Sequence, residues 1–340
     1  MGFGSYNNNS SMNLHPLRTP ALLALSLLWG TASTSAQTVA PTLAFVSSEK
    51  NNAITVIGLA DMKPQATIAT CQRPRHMQLS PDRKQLWVAC SGDNAADVID
   101  IATRKSVDRI PLSDDPEMFD VSPDGKTLYV SNEDDAELTV IDIPSKKVRG
   151  KVPVGKEPEG VKLSADGKTV YVTSEVANRV HVIDTTSLKV LKSIPVGQRP
   201  RRFALTPDGK ELWVTNELGA SVSVISTTEM KVIHTLNFEL KGARASEITP
   251  VGITLSRDGK RAFVALGRAN HVAFVDVATR KVTQQVLVGK RAWNVALSQD
   301  EAKLYVVNGL SDDLTVVDVA AGKALQTVPV GRVPYAVVLY

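Results

Sequence analysis

The chain has 340 residues, of which 43% are hydrophobic and 22% charged, and its formal net charge is +4 at pH 7. These values are ordinary for a globular protein. A net charge this small does not call for a nucleic-acid partner.

Residues 1–36 are predicted to be a secretory signal peptide with a disordered extreme N-terminus. Arg18 precedes an apolar run from Ala21 to Trp29, and small residues lead to the expected cleavage point after Ala36. A membrane anchor would need roughly 20 apolar residues, about twice the length of this run. We therefore expect an exported protein with no membrane span after cleavage.

Residues 42–340 repeat a single unit. The start of this unit recurs at Pro74, Pro116, Pro158, Pro200, Pro250, Ala292 and Pro334. The spacing is 42 residues except between Pro200 and Pro250, where it is 50. A period near 40 residues with four short apolar runs, here called strands a to d, is typical of a β-propeller blade. The sequence therefore predicts an all-β, seven-bladed β-propeller with four antiparallel strands per blade.

Closure of the ring is predicted to involve both ends of the repeat region. The last unit supplies only an a strand within Pro334 to Tyr340, whereas Thr42 to Ile68 aligns as strands b, c and d. Pairing of the C-terminal a strand with the N-terminal b, c and d strands would complete one blade. Such closure removes the free sheet edges that promote aggregation.

Cys71 and Cys90 are the two cysteines of the chain. Cys71 precedes an a strand and Cys90 ends the b strand of the same unit, so both thiols lie at one end of one hairpin. In an oxidising compartment they could form a disulfide. The alternative is two free thiols in tight turns.

The two faces of the predicted ring differ. The a-to-b and c-to-d connections are uniform and contain Asp, Pro and Gly, which indicates hairpin turns. The d-to-a and b-to-c connections vary, lie on the opposite face and converge at the mouth of the central channel, where ligands commonly bind. The predicted mouth residues are Arg75, His76, Glu117, Glu133, Glu159, Glu175, Arg201, Arg202, Glu217, Arg268, Trp293, Asn294 and Tyr335. Glu49, Arg73, Arg199 and Arg291 lie on the same face.

Two interpretations of the mouth remain open at this point. Its arginines and glutamates could bind a ligand or partner, or they could pair with one another as partly solvated ion pairs that contribute little. Deeper in the channel wall, Asp120 and Lys162 occupy equivalent positions in neighbouring units. This placement indicates an ion pair between blades.

The one break in the period is an insertion within Asn237 to Thr249, which includes Lys241, Arg244 and Glu247. It lengthens a d-to-a connection and therefore belongs to the variable face. It could cover the channel mouth, since long loops in compact repeats are often functional. It could equally be a tolerated surface insertion, because lengthening a loop costs little.

Recognised catalytic and cofactor motifs are missing from the sequence. No stretch matches a phosphate-binding Gly-rich loop, Gly-x-Ser-x-Gly, Cys-x-x-Cys-His or His-Glu-x-x-His. His76 is predicted to face the mouth, but its surroundings lack the ligand spacing of a metal site. We therefore predict no catalytic residue, metal ion or cofactor.

Four b strands resemble the tetrapeptide that names the YVTN family of β-propellers. They read Tyr129-Val130-Ser131-Asn132, Tyr171-Val172-Thr173-Ser174, Trp213-Val214-Thr215-Asn216 and Tyr305-Val306-Val307-Asn308. Other stretches resemble the seven-repeat subfamily associated with PQQ-dependent alcohol catabolism. These are Val251 to Leu255, Phe263 to Gly267, Pro116-Glu117 and Pro158-Glu159.

The resemblance implies a periplasmic accessory role rather than an activity. Its members are encoded beside quinoprotein dehydrogenases, cytochromes and ABC transport systems. The implied partner is therefore a periplasmic quinoprotein dehydrogenase, a cytochrome or an ABC transporter component. The chain lacks the tryptophan docking repeats and the adjacent-cysteine pair of the dehydrogenases themselves, so it does not resemble the enzyme that holds PQQ.

Three functions are compatible with these observations. The preferred one is a non-enzymatic periplasmic propeller that serves a PQQ-dependent alcohol oxidation system as an interaction scaffold or ligand-binding accessory protein. The second is a lactonase-like hydrolase or a haem-binding propeller, since similar seven-bladed rings include both. The third is nucleic-acid binding by the basic and aromatic residues of the mouth, which the interleaved glutamates oppose.

Overall fold

The computed structural model describes residues 42–340 together with Met1, Gly2, Gly4, Asn7 and Asn9. Apart from these five residues, the predicted signal peptide (residues 1–36) lies outside the described residues. In the described part of the chain, no helix has both the length and the apolar character that a membrane crossing requires.

Residues 42–340 form 28 β-strands in seven antiparallel sheets of four, which confirms the predicted all-β seven-bladed propeller. The first strands are β1 (Leu43–Ser48), β2 (Ala53–Gly58) and β3 (Lys63–Ala69). Blade 1 contains β4 (Pro74–Leu79), β5 (Gln85–Cys90), β6 (Ala95–Asp100) and β7 (Lys105–Pro111). Blade 2 contains β8 (Pro116–Val121), β9 (Thr127–Asn132), β10 (Glu137–Asp142) and β11 (Lys147–Pro153). Blade 3 contains β12 (Pro158–Leu163), β13 (Thr169–Ser174), β14 (Arg179–Asp184) and β15 (Val190–Pro195).

The second half of the ring follows the same order. Blade 4 contains β16 (Pro200–Leu205), β17 (Glu211–Asn216), β18 (Ser221–Ser226) and β19 (Lys231–Asn237). Blade 5 contains β20 (Ile253–Leu255), β21 (Arg261–Ala265), β22 (His271–Asp276) and β23 (Lys281–Leu287). Blade 6 contains β24 (Ala292–Leu297), β25 (Lys303–Asn308), β26 (Asp313–Asp318) and β27 (Lys323–Pro329). Blade 7 combines β28 (Pro334–Leu339) with β1, β2 and β3.

The two ends of the repeat region meet in blade 7. Strand β28 pairs antiparallel with β1, with Phe45 opposite Val338. Backbone hydrogen bonds extend the pairing, because Leu43 N donates to Tyr340 O at 2.9 Å and Tyr340 N donates to Leu43 O at 2.8 Å. The first strand of the blade therefore comes from the C-terminal end and the other three from residues 43–69.

The core lies between neighbouring blades rather than inside any one sheet. One aromatic residue of each second strand is at most 5% exposed, namely Phe45, Trp87, Tyr129, Tyr171, Trp213, Phe263 and Tyr305. Trp213 of blade 4, for example, packs in one cluster with Ala262 and Val264 of blade 5. Aromatic rings bury large apolar areas. Their recurrence once per blade therefore explains why the blades stack into a ring.

Local hydrogen bonds hold the turns of the uniform face. In blade 3, Ser164 Oγ donates to Asp166 Oδ1 at 2.7 Å, and the backbone N–H of Lys168 donates to the same oxygen at 3.1 Å. Gly167 has a φ of +70°, a conformation that glycine adopts without a steric penalty. Asp184, which starts the other turn of the blade, accepts from Ser187 N at 2.7 Å. These aspartates are structural, as the pattern indicated.

Two further sequence expectations have clear outcomes. Cys71 and Cys90 form a disulfide, with Cα atoms 5.8 Å apart. Asp120 forms the predicted inter-blade ion pair, since its Oδ2 lies 2.8 Å from Lys162 Nζ. Its other oxygen accepts from Gln78 Nε2 at 3.2 Å, so Asp120 links three blades.

The inserted loop is anchored at both ends and exposed in between. Phe238 and Ile248 are buried in the cluster between blades 4 and 5. A short 3-10 turn, Ala245–Glu247, lies between them, and Arg244 N donates to Glu247 Oε2 at 2.8 Å. Lys241 is exposed. The loop therefore has buried ends and a hydrogen-bonded turn between them, and its middle is exposed to solvent.

Candidate functional site at the channel mouth

A recurring β-bulge positions the side chains of the mouth. In β4, β8, β12 and β16 the pairing with the next strand shifts register just after the first proline. In β12 the bulge contains Glu159 and Gly160. Bulges re-aim side chains and are common beside functional sites. The same bulge in β16 explains why Arg201 and Arg202, although adjacent in sequence, both reach the buried cluster described below.

A repeated side-chain clamp fixes the residue before five of the seven inner strands. Arg291 has a φ of +60°, and its backbone N–H donates to Asn270 Oδ1 at 2.8 Å. The same bond joins residues 21 positions apart in four other places. It links Arg73 to Asn52, Asp115 to Asn94, Arg199 to Asn178 and Val333 to Asp312. Asn and Asp tolerate left-handed backbone and bond nearby N–H groups in this way. Three arginines, Arg73, Arg199 and Arg291, are held at the mouth by this clamp.

The Tyr335 hydroxyl lies at the centre of a buried polar cluster that spans the channel. It is 3.2 Å from Glu117 Oε2 and 3.1 Å from Glu159 Oε1, and it accepts from Arg202 Nη2. Arg75 pairs with Glu117, and its guanidinium lies 5.5 Å from the centre of the Tyr335 ring. Blades 1, 2, 3, 4 and 7 thus contribute to a single network.

A second part of the cluster surrounds Arg201. Its guanidinium pairs with Glu175 and lies 3.5 Å from Glu159 and 3.6 Å from Glu217. Arg199 pairs with the same two outer carboxylates, at 2.6 Å from Glu175 and 3.4 Å from Glu217. Arg201 also lies 5.1 Å from the centre of the Trp293 ring, within the range of a cation–π contact.

Burial corrects one of the two interpretations of the mouth. Partly solvated ion pairs were one expectation, but Arg201 is 7% exposed and Glu159 2% exposed. Arg75, Glu117, Glu175, Arg202, Glu217 and Tyr335 are likewise at most 8% exposed. Charges this deep must be paired, because a lone buried charge is very costly. The bulges point the side chains inward, which the linear sequence does not reveal.

The network shifts the pKa values of its members in different directions. Burial alone would raise the pKa of Glu159, but Arg201, Arg202 and Arg75 lower it to about 2. For Glu175, burial outweighs Arg201 and raises the pKa to about 7. Burial, reinforced by Arg202, lowers the pKa of His76 to about 3. At neutral pH, Glu159 is therefore a fixed anion and His76 is neutral.

An open cavity of about 300 Å³ lies above this network. Its charged lining consists of five arginines and four glutamates, namely Arg73, Arg75, Arg199, Arg201, Arg291, Glu49, Glu117, Glu133 and Glu159. Trp293, Tyr335, Gly309, Val333 and Pro334 complete the wall. Seven of the predicted mouth residues therefore meet in one cavity: Arg75, Glu117, Glu133, Glu159, Arg201, Trp293 and Tyr335.

Four other predicted mouth residues support this wall from behind. Glu175 and Glu217 pair with Arg199 and Arg201, and Arg202 pairs with Glu159 at 2.8 Å. Asn294 joins blades 6 and 7, because its Oδ1 accepts from Val337 N at 3.5 Å. These residues hold the cavity without lining it.

His76 and Arg268 take no part in the cavity. Contrary to expectation, His76 packs edge-on against Phe119, with ring centroids 4.9 Å apart, because the bulge turns it towards blade 2. Arg268 is exposed on the rim. Lys241, Arg244 and Glu247 of the inserted loop also lie outside the cavity lining.

Two charged residues of the cavity have no protein partner in the part of the chain that the structure describes. Arg291 stacks on Trp293, 3.9 Å from the ring centre, but no carboxylate lies within 4.0 Å of it among residues 42–340. Glu133 likewise forms no ion pair or side-chain hydrogen bond with the described residues. Burial, together with Glu159 and Asp115, raises the pKa of Glu133. Sequence reasoning had no means of separating these two residues from their paired neighbours.

Three carboxylates meet on one side of the cavity. Oxygen atoms of Asp115, Glu117 and Glu133 lie within 4.8 Å of one another. Arg73 lies 3.3 Å from Asp115, and Arg75 pairs with Glu117. Two of the three carboxylates are thus already neutralised by arginine, so a metal site does not follow from the cluster.

Two family models match parts of the chain. One, described as a YNCE-like β-propeller, matches residues 82–165. The other, described as a lactonase with a seven-bladed β-propeller, matches residues 184–337. Both matches support the β-propeller, and each covers less than half of the chain. No curated protein matches the chain significantly.

Solved structures similar to this chain share its fold at low identity. A functionally unknown protein from Desulfotomaculum acetoxidans is 16% identical, with a TM-score of 0.75 over 88% of this chain and 98% of that one. Dihydro-heme d1 dehydrogenase NirN in complex with DHE is 16% identical, with a TM-score of 0.67 over 87% of this chain and 75% of that one. Kuenenia stuttgartiensis hydrazine synthase is 22% identical, with a TM-score of 0.52 over 73% and 96%. At these identities the likeness shows the fold alone.

Proposed function

We propose that this protein is a non-enzymatic, ligand-binding accessory propeller whose binding site is the channel mouth. The observation that carries the proposal is the 300 Å³ cavity, in which Arg291 and Glu133 have no partner among the described residues. Ligand sites are concave and contain a few convergent polar groups on a rigid scaffold. Here the scaffold is a closed ring, and the supporting charges are already paired beneath the cavity.

The chemistry of the site favours binding over catalysis. A general base must reach a substrate proton at hydrogen-bond distance. Glu175 has the raised pKa of such a base, but its side chain is 2% exposed and is shared by Arg199 and Arg201. Glu159 is held as an anion by three arginines. Glu159 therefore serves as a fixed counter-charge, and Glu175 is enclosed by its arginines and does not line the cavity.

A hydrolase is the second candidate, and the lactonase model over residues 184–337 favours it. It would use Glu175 as the base, with Arg201 stabilising the developing negative charge. Hydrolysis of a panel of five- and six-membered sugar lactones, compared in wild type and Glu175→Gln, tests it. Turnover that Glu175→Gln abolishes would replace the binding role with an enzymatic one.

A haem-binding role has weaker support. Haem iron in proteins is held by His, Met, Cys or Tyr side chains. Tyr335 is the one such residue in the cavity lining, and its hydroxyl is occupied by Glu117, Glu159 and Arg202. His76 packs against Phe119 instead of facing the cavity.

We further propose that the protein acts in the periplasm with a PQQ-dependent alcohol oxidation system. Resemblance to the subfamily associated with that catabolism, the signal-like residues 1–36 and the Cys71–Cys90 disulfide support this proposal. The partner would be a quinoprotein dehydrogenase, a cytochrome or an ABC transporter component. The exposed loop that carries Lys241 and Arg244 is the proposed contact, since it projects without lining the cavity.

A pull-down from periplasmic extract tests this association. Bait proteins would be wild type, a variant lacking Lys241 to Ser246, and Arg268→Gln as a control on the exposed rim. Recovery of one of the three partner types by wild type and Arg268→Gln, but not by the loop deletion, is the expected result. Equal recovery by all three baits would place the contact elsewhere, and recovery of no partner would contradict the association.

A further inference from the structure

We propose that the ligand of the mouth is a small zwitterion, with its carboxylate on Arg291 and its protonated amine on Glu133. This inference rests on the proposed binding function and adds the chemical class of the ligand. It follows from the charges of the cavity, from the surroundings of Arg291 and Glu133, and from their positions in the ring.

The remaining charges of the cavity are matched within the protein. Arg75 pairs with Glu117 and lies 3.5 Å from Glu49. Arg201 pairs with Glu175 and lies 3.5 Å from Glu159, which also pairs with Arg202. Arg73 and Arg199 pair with carboxylates outside the lining, Asp115 in the first case and Glu175 in the second. One cation and one anion remain, so the cavity offers one site of each sign.

The position and surroundings of Arg291 suit it to bind a carboxylate. Its backbone is held by Asn270, and the guanidinium carbon lies over Trp293 at 3.9 Å from the ring centre. Stacking occupies the face of the guanidinium but leaves its edge, with paired N–H donors, available for a bidentate carboxylate. Trp293 is only 5% exposed, lines the cavity, and its Nε1 has no acceptor among the described residues. The wall therefore presents an N–H donor, Trp293 Nε1, that no described residue accepts from.

The position and surroundings of Glu133 suit it to bind a protonated amine. It is half-buried at the turn after β9, where its backbone N–H donates to Asp115 O at 3.0 Å. Oxygen atoms of Asp115 and Glu117 lie within 4.8 Å of its carboxylate and have arginine partners, so Glu133 is the member of the cluster without a cation among the described residues. An ammonium group carries three donors and could contact more than one of these oxygens. Binding it would relieve the repulsion among the three carboxylates.

The two sites lie on different sides of the channel mouth. Glu133 follows β9 in blade 2, and Arg291 precedes β24 in blade 6, so blades 1 and 7 separate them on one side and blades 3, 4 and 5 on the other. Both line the same 300 Å³ cavity, so one small molecule can reach both. A simple anion or cation would leave the opposite charge unpaired, and this loss selects for a molecule that carries both charges.

Isothermal titration with matched probes tests the inference. The probes are the straight-chain ω-amino acids from glycine to aminooctanoate, together with hexanoate and hexylamine, which each lack one charge. The proteins are wild type, Arg291→Gln, Glu133→Gln and the control Arg268→Gln. Because a charged hydrogen bond contributes more than about 1.4 kcal/mol, or tenfold in affinity, the best ω-amino acid is expected to bind wild type at least about tenfold more tightly than hexanoate or hexylamine.

The variants assign each end of the ligand. Arg291→Gln is expected to bind the amino acid no better than hexylamine, and Glu133→Gln no better than hexanoate, while Arg268→Gln matches wild type. If hexanoate binds wild type as tightly as the amino acids, the zwitterion inference is wrong although ligand binding at the mouth stands. If none of the amino acids binds, the inference is also overturned, and the pull-down separately decides the accessory role.

Discussion

The two faces of the ring use acidic residues in different ways. On the turn face, Asp166 bonds a hydroxyl and a backbone N–H two residues away on either side. At the mouth, Glu117 and Glu159 meet the Tyr335 hydroxyl across 218 and 176 residues of sequence. The bonds of this turn thus stay within one hairpin, whereas the mouth is stabilised as one network across the blades. Removing any one residue of this network should therefore weaken the contacts of the others.

Removing Arg201 should have the largest effect. Arg201→Leu leaves Glu159, Glu175 and Glu217 without their shared cation, and removal of one partner of a buried ion pair costs about 3–5 kcal/mol. Urea denaturation measures this loss. The control is Lys210→Leu on the turn face, whose side chain is 77% exposed and which should leave the free energy of unfolding unchanged. Equal stability of the two variants would show that the buried network is not coupled to folding.

A double-mutant cycle should reveal the network more directly. Arg201→Leu combined with Glu159→Leu should cost less than the sum of the two single changes, with a coupling of about 0.5–3 kcal/mol. In the turns of blade 3, Asp166→Ala and Asp184→Ala should be additive, because each aspartate bonds only within its own turn. Additivity at the mouth would remove the distinction between the two faces.

Acid should destabilise the folded protein through His76. Its folded pKa of about 3 lies below its ordinary value of 6.5, so the unfolded chain takes up the proton first as the pH falls. The free energy of unfolding should therefore decrease between about pH 6.5 and pH 3, by up to about 1.4 kcal/mol per pH unit from this group. His76→Leu should remove this part of the slope. An unchanged slope in His76→Leu would contradict the lowered pKa of His76 in the folded protein.

The smallest effect is expected in a single turn. Asp166→Ala removes the two local hydrogen bonds that Asp166 accepts, but the Gly167 turn and its backbone bond from Gly167 N to Ser164 O at 2.9 Å remain. The melting temperature should fall slightly, and by less than in any substitution of the buried network. A loss as large as that of Arg201→Leu would mean that the turn face is also cooperative.

Much of the fold could be predicted because the same pattern of strands and turns recurs in each of the seven units. The 42-residue spacing indicates the blades, and aromatic residues such as Trp213 and Tyr171 indicate the packing between them. The side-chain clamp also left a signal, since Asn52, Asn94, Asn178 and Asn270 recur at one turn of the repeat. Periodicity reports what the units share, and these features are shared.

The sequence predicted which face of the ring carries the mouth, but not which of its residues contact one another. Tyr335, Glu117 and Glu159 come from three different blades, and which arginine each carboxylate meets depends on the bulges and on geometry across the channel. His76 shows the limit most clearly, because it lies in the bulge of β4 and packs against Phe119 instead of lining the cavity. The unpaired state of Arg291 and Glu133 is a property of the whole cavity and has no local sequence pattern.

The most direct test of the account measures stability and binding on one variant, Arg291→Gln. Arg291 has no ion pair with the described residues, so the free energy of unfolding should fall only by about 0.5–1 kcal/mol, the contribution of its cation–π contact with Trp293. Titration of the same protein should show that the advantage of ω-aminohexanoate over hexylamine is lost. A large loss of stability, or an unchanged advantage, would instead mean that Arg291 is a structural member of the mouth and not its binding residue.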